Sequence, residues 1–482
     1  MDCKTEEIVK NDIVNIENKN LLAIYIKQIF EALRGKEQDY TSLKVNKAII
    51  LLSVPMVLEM LMESLFAIVD IYFVSKIGEE AIASVGLTES VMTLIYAIGI
   101  GLAMATTAIV SRRIGEKNIK EATNSAYHSI IIAVIISLVI SIFGIIISKD
   151  ILIIMGASER ILNYHSGYMT IMLGGNVTIM LLFIINAVFR SAGDAMISLK
   201  VLWLANIINI ILDPLFIFGW GPIPKMGVEG AAVATNIGRG VAIIYQFYNL
   251  VKGNGKIKFK GTRFHKDWGI IKNILKLSLG GMSQNIIATS SWIGLMRIVS
   301  LYGSVALAGY TISLRILFFT LLPSLGFANA ASTLVGQNLG ASKPERAERS
   351  VNIIAKVSAI TMGLISLALI IFAETFIGLF VDGSEVLLVG ASSLRILGYG
   401  FIFYAVGMVL IHAFNGAGDT FTPTYINIFC YWLLEIPLAY ILAVILNFRA
   451  DGVFYAILIS EGIMTITAYI IFRIGKWKKK IV

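Results

Sequence analysis

Residues 131–147 read IIAVIISLVISIFGIII and decide the fold class. They belong to a longer apolar run between polar loops, and similar blocks recur at Ile179–Val188 and Ile360–Phe372. A membrane-spanning helix needs about 20 predominantly apolar residues. Of the 482 residues, 57% are hydrophobic and only 15% are charged, whereas soluble proteins carry about 25% charged residues. The sequence therefore predicts an all-α polytopic membrane protein and excludes collagen, nucleic-acid modules and secreted disulfide scaffolds.

Apolar segments separated by Gly, Pro and charge clusters predict twelve transmembrane helices, α1 to α12 in chain order. Their predicted bounds are 47–75, 86–111, 122–148, 161–190, 195–219, 228–251, 270–301, 308–337, 347–373, 387–415, 421–446 and 452–474. Residues 1–44 form a cytoplasmic tail in this interpretation. Leu22, Ile26, Ile29 and Leu33 share one helical face, which fits an interfacial amphipathic helix, although the composition fits a disordered tail equally well.

Lys and Arg are concentrated in the loops on one side of the predicted bundle. That side carries Arg112, Arg113, Lys117, Lys120, Lys252, Lys256, Lys258, Lys260, Arg263, Lys266, Lys343, Arg346, Arg349, Lys476, Lys478, Lys479 and Lys480. The opposite loops hold only Lys76, Lys149, Arg160, Lys225 and Arg449. Because basic loops stay inside, we expect a multi-pass protein of the cytoplasmic (inner or plasma) membrane with both termini in the cytoplasm. The net charge of +9 then reflects orientation and attraction to anionic lipid, not nucleic acid.

An internal repeat with an offset of 225 residues divides the chain into two halves. It places Ala-Gly-Asp at 192–194 on Ala-Gly-Asp at 417–419, and Gly101 on Gly326. Six helices per half put both halves in the same orientation, related by a pseudo-two-fold axis along the membrane normal. The predicted parts are an N-lobe at 45–251, a basic cytoplasmic linker at 252–269, a C-lobe at 270–475 and a basic C-terminus at 476–482. Two parallel lobes predict a central cleft and a rocking motion, as in transporters.

Carboxyl groups inside predicted spans are candidates for function because their burial is costly. Glu59, Glu63 and Asp70 fall within about 40° of one another on α1, and α5 presents Asn209 and Asp213 on one face. A proton or Na⁺ would relieve buried carboxylates, and Asn adds a neutral oxygen. The alternative for Glu59 and Glu63 is that they face water near a helix end or cap polar gaps.

The repeat restricts this chemistry to the N-lobe. The counterparts of Glu63, Asp70, Asn209 and Asp213 are Ala288, Leu295, Leu434 and Leu438. In the C-lobe we expect Gln284 and Glu435, together with Glu59 of the N-lobe, to be candidates for lining the substrate cleft. Glu435 could instead pair with a basic residue of its own lobe.

Two prolines interrupt the helices that carry the acidic residues. Pro55 in α1 and Pro214 in α5 each remove a backbone donor, and they predict either bends that respond to protonation or static kinks. The turns Ser191–Asp194 and Gly416–Asp419 lack the spacing of a phosphate loop, so we interpret them as structural. Because the sequence has no Walker motif, catalytic triad, zinc motif or haem signature, we expect neither an enzyme nor a cofactor beyond a coupling ion.

The sequence resembles the multidrug and toxic compound extrusion (MATE) transporters over roughly residues 45–475. The resemblance rests on Pro55 to Asp70, the two Ala-Gly-Asp turns, Asn-Ile-Ile-Leu-Asp-Pro at 209–214, and Gly-Val-Glu-Gly-Ala-Ala-Val-Ala-Thr at 227–235. It implies a V-shaped, two-lobed fold and antiport of organic, often cationic compounds against Na⁺ or H⁺.

The chain looks like the branch of that family with an N-lobe cation site. The resemblance assigns this site to Asp70, Asn209 and Asp213, with Tyr168 and Thr235 as neighbours. Another branch uses an acidic residue in α7, where this chain has Gln284.

We therefore expect a secondary-active exporter that acts as a monomer in the lipid bilayer. The alternatives are a flippase or exporter of lipid-linked oligosaccharides, for which Arg239, Arg297, Arg315 and Arg395 would supply cationic groups, and a channel or non-transporting receptor.

Overall fold

A computed structural model describes residues 23–35, 38–253, 255–262, 264–381 and 383–482, and all twelve predicted segments are helical. The bounds are α1 Val45–Ser75, α2 Glu79–Gly115, α3 Ile119–Ile154, α4 in the pieces Glu159–Tyr164, Ser166–Gly174 and Asn176–Ala192, α5 Ala195–Phe218, α6 Val228–Lys252, α7 Trp268–Val299, α8 Ser304–Gly340, α9 Pro344–Ile371 with the extension Ala373–Gly378, α10 Ser384–Gly416, α11 Phe421–Ile445 and α12 Arg449–Ile474. Among the described residues, nine helices are long and apolar enough to span a membrane, or ten if the bent pieces of α4 count as one. The other two, α6 and α7, are richer in Gly, Ser, Asn and charged residues.

The main contacts between the lobes involve four helices: α2 packs on α7 and α8, and α1 packs on α8. A Cβ atom on Gly101 in α2 would lie 2.8 Å from the carbonyl oxygen of Ser278 in α7. A Cβ atom on Gly326 in α8 would lie 2.6 Å from the Cα atom of Val57 in α1. The two glycines are counterparts in the repeat, so the same close crossing occurs twice, and only glycine permits it.

The lobes close against each other at the end that carries the basic loops. A Cβ atom on Gly115 would lie 2.0 Å from the carbonyl oxygen of Gln337, and one on Gly340 would lie 2.1 Å from that of Arg112. The offset of 225 residues converts the first contact into the second. The contact is therefore symmetric about the axis that relates the two lobes.

The two Ala-Gly-Asp turns, interpreted above as structural, pack against residues near both termini. Gly193 and Gly418 adopt left-handed φ values of 95° and 82°. The Tyr40 hydroxyl donates to the carbonyl oxygen of Gly193 (3.0 Å), and Arg346 of the C-lobe donates to the carbonyl oxygen of Tyr40 (2.9 Å). The C-terminal Val482 packs against Gly418. Residues near both termini thus reinforce the closed end.

Two helices depart from the regular geometry that apolar periodicity predicts. The pieces of α4 are bent by 41° between Gly174 and Asn176, where the Asn176 amide donates to the carbonyl oxygens of Leu173 and Ser137. Helix α11 is a π-helix over Ile428–Glu435 and again over Ile441–Ile445. Neither the bend in α4 nor the π geometry of α11 changes the hydrophobicity of its segment, so the apolar pattern does not reveal either one.

A short helix at residues 23–34 precedes the bundle. Its Ile26, Ile29 and Phe30 side chains are exposed, whereas Ala32 is buried. An exposed apolar face fits the predicted interfacial helix. Leu22, which the prediction included, lies outside the described residues.

Candidate cation and substrate sites

The candidate cation site is built on the buried face of α5. Asn209 and Asp213 lie one turn apart, and the Asn209 amide donates to Asp213 Oδ1 (3.0 Å) and to Thr235 Oγ1 of α6 (3.3 Å). Asn209 and Asp213 are fully buried, and Thr235 is 4% exposed. The structure thus brings together three of the residues that the sequence nominated.

Three oxygen atoms of Asn209, Asp213 and the nearby Asp70 are buried without a hydrogen-bond partner in the described part of the chain. They are Asp213 Oδ2, Asn209 Oδ1 and Asp70 Oδ1. Asp70 approaches from α1 closely enough to act electrostatically on Asp213. Orphaned buried oxygens are costly, and carboxylate and amide oxygens are the ligands of hard cations. The arrangement can hold a small monovalent cation or take up a proton.

Two further side chains lie next to this group: Tyr168, which the site prediction included, and the basic Arg239, which it did not. Tyr168, which the resemblance implied as a neighbour of the site, is 2% exposed and interacts electrostatically with Asp70. Arg239 of α6 interacts with Glu63 and with Glu89 of α2. Sequence reasoning missed Glu89 and considered Arg239 only as a phosphate ligand. Both are ionisable residues inside predicted spans, which is the signal that could have found them.

A cavity of about 370 Å³ separates the lobes and is lined by residues of both. This volume lies in the range of small-molecule sites, about 300–1,000 Å³. Its wall includes the acidic residues Glu59 and Glu63 and four methionines, Met60, Met104, Met408 and Met464. Flexible, polarisable methionine side chains adapt to ligands of different shape.

Glu59 and Gln284, both nominated as cleft residues, occupy equivalent places on the two sides of this cavity. Glu59 forms an ion pair with Arg190 (2.6 Å), and its side chain is 1% exposed. Gln284 exchanges two hydrogen bonds with Asn415, of 3.0 and 3.1 Å. The offset of 225 converts Glu59 into Gln284 and Arg190 into Asn415. One pairing is therefore ionic in the N-lobe and neutral in the C-lobe, and sequence reasoning missed both partners.

Glu435, the third cleft candidate, is not among the residues that line the cleft. It lies in a separate small cavity inside the C-lobe together with Glu461 of α12. Neither carboxyl has a Lys or Arg partner within the described residues, so Glu435 does not make the alternative ion pair either. Glu461, an intramembrane carboxyl, was missed.

The two prolines lie inside continuous helices. Pro55 falls within Val45–Ser75 and Pro214 within Ala195–Phe218. Pro214 directly follows Asp213, so the backbone of the candidate site lacks one amide donor there. The predicted response of these helices to protonation stays a prediction.

Comparison with known proteins identifies the family. The profile of the MatE family matches residues 55–215 and 282–441, once in each lobe. The chain is 25% identical to the probable multidrug resistance protein NorM of Thermotoga maritima, covering 91% of this chain and 94% of that protein. It is 27% identical to an FAD transporter of Shewanella oneidensis, covering 89% and 94%.

Solved structures agree with that assignment. An outward-facing multidrug resistance MATE family transporter of the MOP superfamily superposes with a TM-score of 0.86 at 27% identity, covering 92% of this chain and 99% of the other. A MOP superfamily transporter from Pyrococcus furiosus, described as having a binding pocket of reverse polarity, gives 0.85 at 26% identity over 92% and 99%. The predicted two-lobed, twelve-helix fold is confirmed. This chain is therefore a membrane protein that belongs to the MATE family of transporters.

Proposed function

We propose that the chain is a multidrug efflux antiporter that exports organic, often cationic compounds in exchange for Na⁺ or H⁺. The observation that carries the coupling site is the set of three unpartnered buried oxygens on Asp70, Asn209 and Asp213. Relatives named as multidrug resistance proteins support the substrate class. The carboxylate of Glu63 and the methionines of the cleft suit cationic, apolar compounds.

Exchange follows from alternating access of the two lobes. The close approach of the lobes at Gly115 and Gly340 supports a state that is closed at the basic-loop end. In this proposal the cleft then opens toward the opposite side of the membrane. A cation bound at the N-lobe site and a compound bound in the cleft each favour one state, and this difference in affinity couples their movements. The protein works as a monomer in the cytoplasmic membrane, with both termini in the cytoplasm.

The cleft chemistry disfavours a flippase of lipid-linked oligosaccharides. Arg239, Arg297, Arg315 and Arg395 do not line the cleft. Arg190, the arginine that does, is paired with Glu59. Among the described residues, the lining of the cavity therefore offers no unpaired Lys or Arg that would hold a phosphate.

The test uses purified full-length protein in liposomes loaded with a fluorescent organic cation. Imposed Na⁺ and H⁺ gradients are applied separately to the wild type, to Asp70→Asn, and to Glu374→Gln as a surface carboxyl control. We expect one gradient to move the dye in the wild type and in the control but not in Asp70→Asn. Transport that survives in Asp70→Asn would refute the site, and dye movement with no gradient dependence would indicate a channel.

A further inference from the structure

A second pair of buried carboxyls lies inside the C-lobe, apart from the substrate cleft. Glu435 at the end of the first π segment of α11 is 2% exposed, and Glu461 of α12 is 4% exposed. Together they line a cavity of about 30 Å³ whose other walls include Trp292 and Tyr404. A cavity needs about 10–15 Å³ to hold one water, so the space suits one ion or one or two waters, not an organic compound.

The hydrogen bonds of the pair leave one buried carboxyl oxygen without a donor in the described part of the chain. Ser291 Oγ donates to Glu435 Oε2 (3.0 Å), and the Tyr431 hydroxyl donates to Glu461 Oε1 (3.1 Å). Glu461 Oε2 is buried without a partner in the described part of the chain, and so is the hydroxyl of Tyr310, which interacts electrostatically with Glu435.

The titratable groups around the pair are all neutral when protonated. They are Tyr310 of α8, Tyr404 of α10, and Cys430 and Tyr431 of α11. Helix α7 contributes Ser291 and Trp292. No basic side chain within the described residues forms an ion pair with either carboxyl. Two interacting carboxylates in such surroundings cannot both remain charged without a cation.

By the repeat, the pair lies at nearly the same level along its lobe as the cation site does in the N-lobe. Glu435 is one residue beyond Leu434, the counterpart of Asn209, and Glu461 is one residue beyond Ser460, the counterpart of Thr235. The π geometry over Ile428–Glu435 alters the direction in which this part of α11 presents its side chains, and π segments are frequent at functional sites.

Two tyrosines connect this cavity with the substrate cleft. Tyr404 lines both spaces. Tyr431 lines the cleft with part of its side chain while its hydroxyl donates to Glu461. A single layer of side chains therefore separates the carboxyl pair from the cleft.

We infer that Glu435 and Glu461 form a second cation site, which takes up one monovalent positive charge, from Na⁺ or from a proton, inside the C-lobe. The inference goes beyond the proposed function, which places coupling in the N-lobe alone. It predicts that cation binding survives when the N-lobe carboxyls are neutralised.

The experiment measures the melting temperature of the purified full-length protein in detergent. The N-lobe site is silenced by Asp70→Asn with Asp213→Asn, and Glu461→Gln or Glu435→Gln is then added; Glu374→Gln on the surface is the matched control. One arm titrates Na⁺ against choline at constant ionic strength and high pH. The other varies pH without Na⁺, so the two arms separate Na⁺ from the proton.

We expect the silenced protein to retain a cation-dependent rise of a few degrees that is lost in Glu461→Gln and kept in Glu374→Gln. If the silenced protein responds to neither Na⁺ nor pH, or responds equally with Glu461→Gln, the second site does not exist. Should the triple variant not fold, equilibrium ²²Na⁺ binding and proton uptake by Glu461→Gln alone replace it. Loss of one equivalent relative to wild type supports the site, and unchanged binding overturns it. An N-lobe variant with unaltered dye transport would refute the proposed function and leave this result unaffected.

Discussion

The N-lobe and the C-lobe have one backbone plan and two chemistries. Their crossings are the same: Gly101 packs on α7 as Gly326 packs on α1. Their buried polar groups differ, because the N-lobe holds the Asp213 cluster and the C-lobe holds apolar Leu438 in its place. The comparison shows that the fold depends on where backbones approach each other, whereas the buried carboxyl groups stand at different positions in the two lobes.

The largest expected effect follows from removing the acid that only the N-lobe carries. Asp213→Asn keeps the volume and removes the charge that binds the cation, so gradient-driven dye transport should fall to the background of protein-free liposomes. The matched change in the other lobe, Leu438→Asn, should leave transport well above background. Equal losses of transport in both variants would mean that the loss comes from disturbed packing and not from the missing charge of Asp213.

The next effect concerns the paired side chains at the cleft wall. Arg190→Met leaves the buried Glu59 without its ion-pair partner, and breaking such a pair costs about 3–5 kcal/mol. Asn415→Ala breaks the neutral counterpart and should cost only about 1–3 kcal/mol. Melting temperatures in detergent measure both.

A double variant that introduces the neutral pair of the C-lobe into the N-lobe tests whether the two pairings are equivalent. Glu59→Gln combined with Arg190→Asn gives the N-lobe the pairing that Gln284 and Asn415 form in the C-lobe. It should recover most of the stability that Arg190→Met loses. If the double variant melts as low as Arg190→Met, the two pairings are not equivalent.

A smaller effect is expected at the crossings, where the lobes should respond alike. Gly101→Ala and Gly326→Ala each place a methyl group within 3 Å of the partner backbone, which forces the helices apart at a cost of about 1–3 kcal/mol. Spin-label distances across the basic-loop end should show a smaller closed population in both variants. Gly86→Ala, which meets open space, is the control, and unequal shifts in the twin variants would contradict the symmetry.

The smallest effect concerns the terminal segments that pack on Gly193 and Gly418. Tyr40→Phe removes one buried hydrogen bond of 3.0 Å, which contributes about 1 kcal/mol. Both the melting temperature and the closed population should fall slightly. No change in either would show that the segment is held by its other contacts, including the Arg346 hydrogen bond.

The sequence predicted the helices well and the partners of side chains poorly. Apolar runs located the twelve spans because hydrophobicity is a local property. The apolar pattern did not predict the π segment that ends at Glu435, because a change of hydrogen-bond register leaves the composition of the helix unaltered. Asp70, Asn209 and Asp213 were recognisable as rare intramembrane polar groups. The roles of Arg190 and Glu461 depend on a partner more than 25 residues away in the sequence, so the sequence alone did not reveal them.

The sequence by itself determined the membrane class, the two lobes and the acidic residues of the N-lobe, since periodicity and an internal repeat are written along the chain. The tertiary structure decided which oxygens remain without partners, that Glu59 is ion-paired, and that Glu435 faces an inner cavity and not the cleft. The physical reason is that hydrophobic burial acts on each segment separately. Desolvation and pairing depend on which helices meet and at what depth.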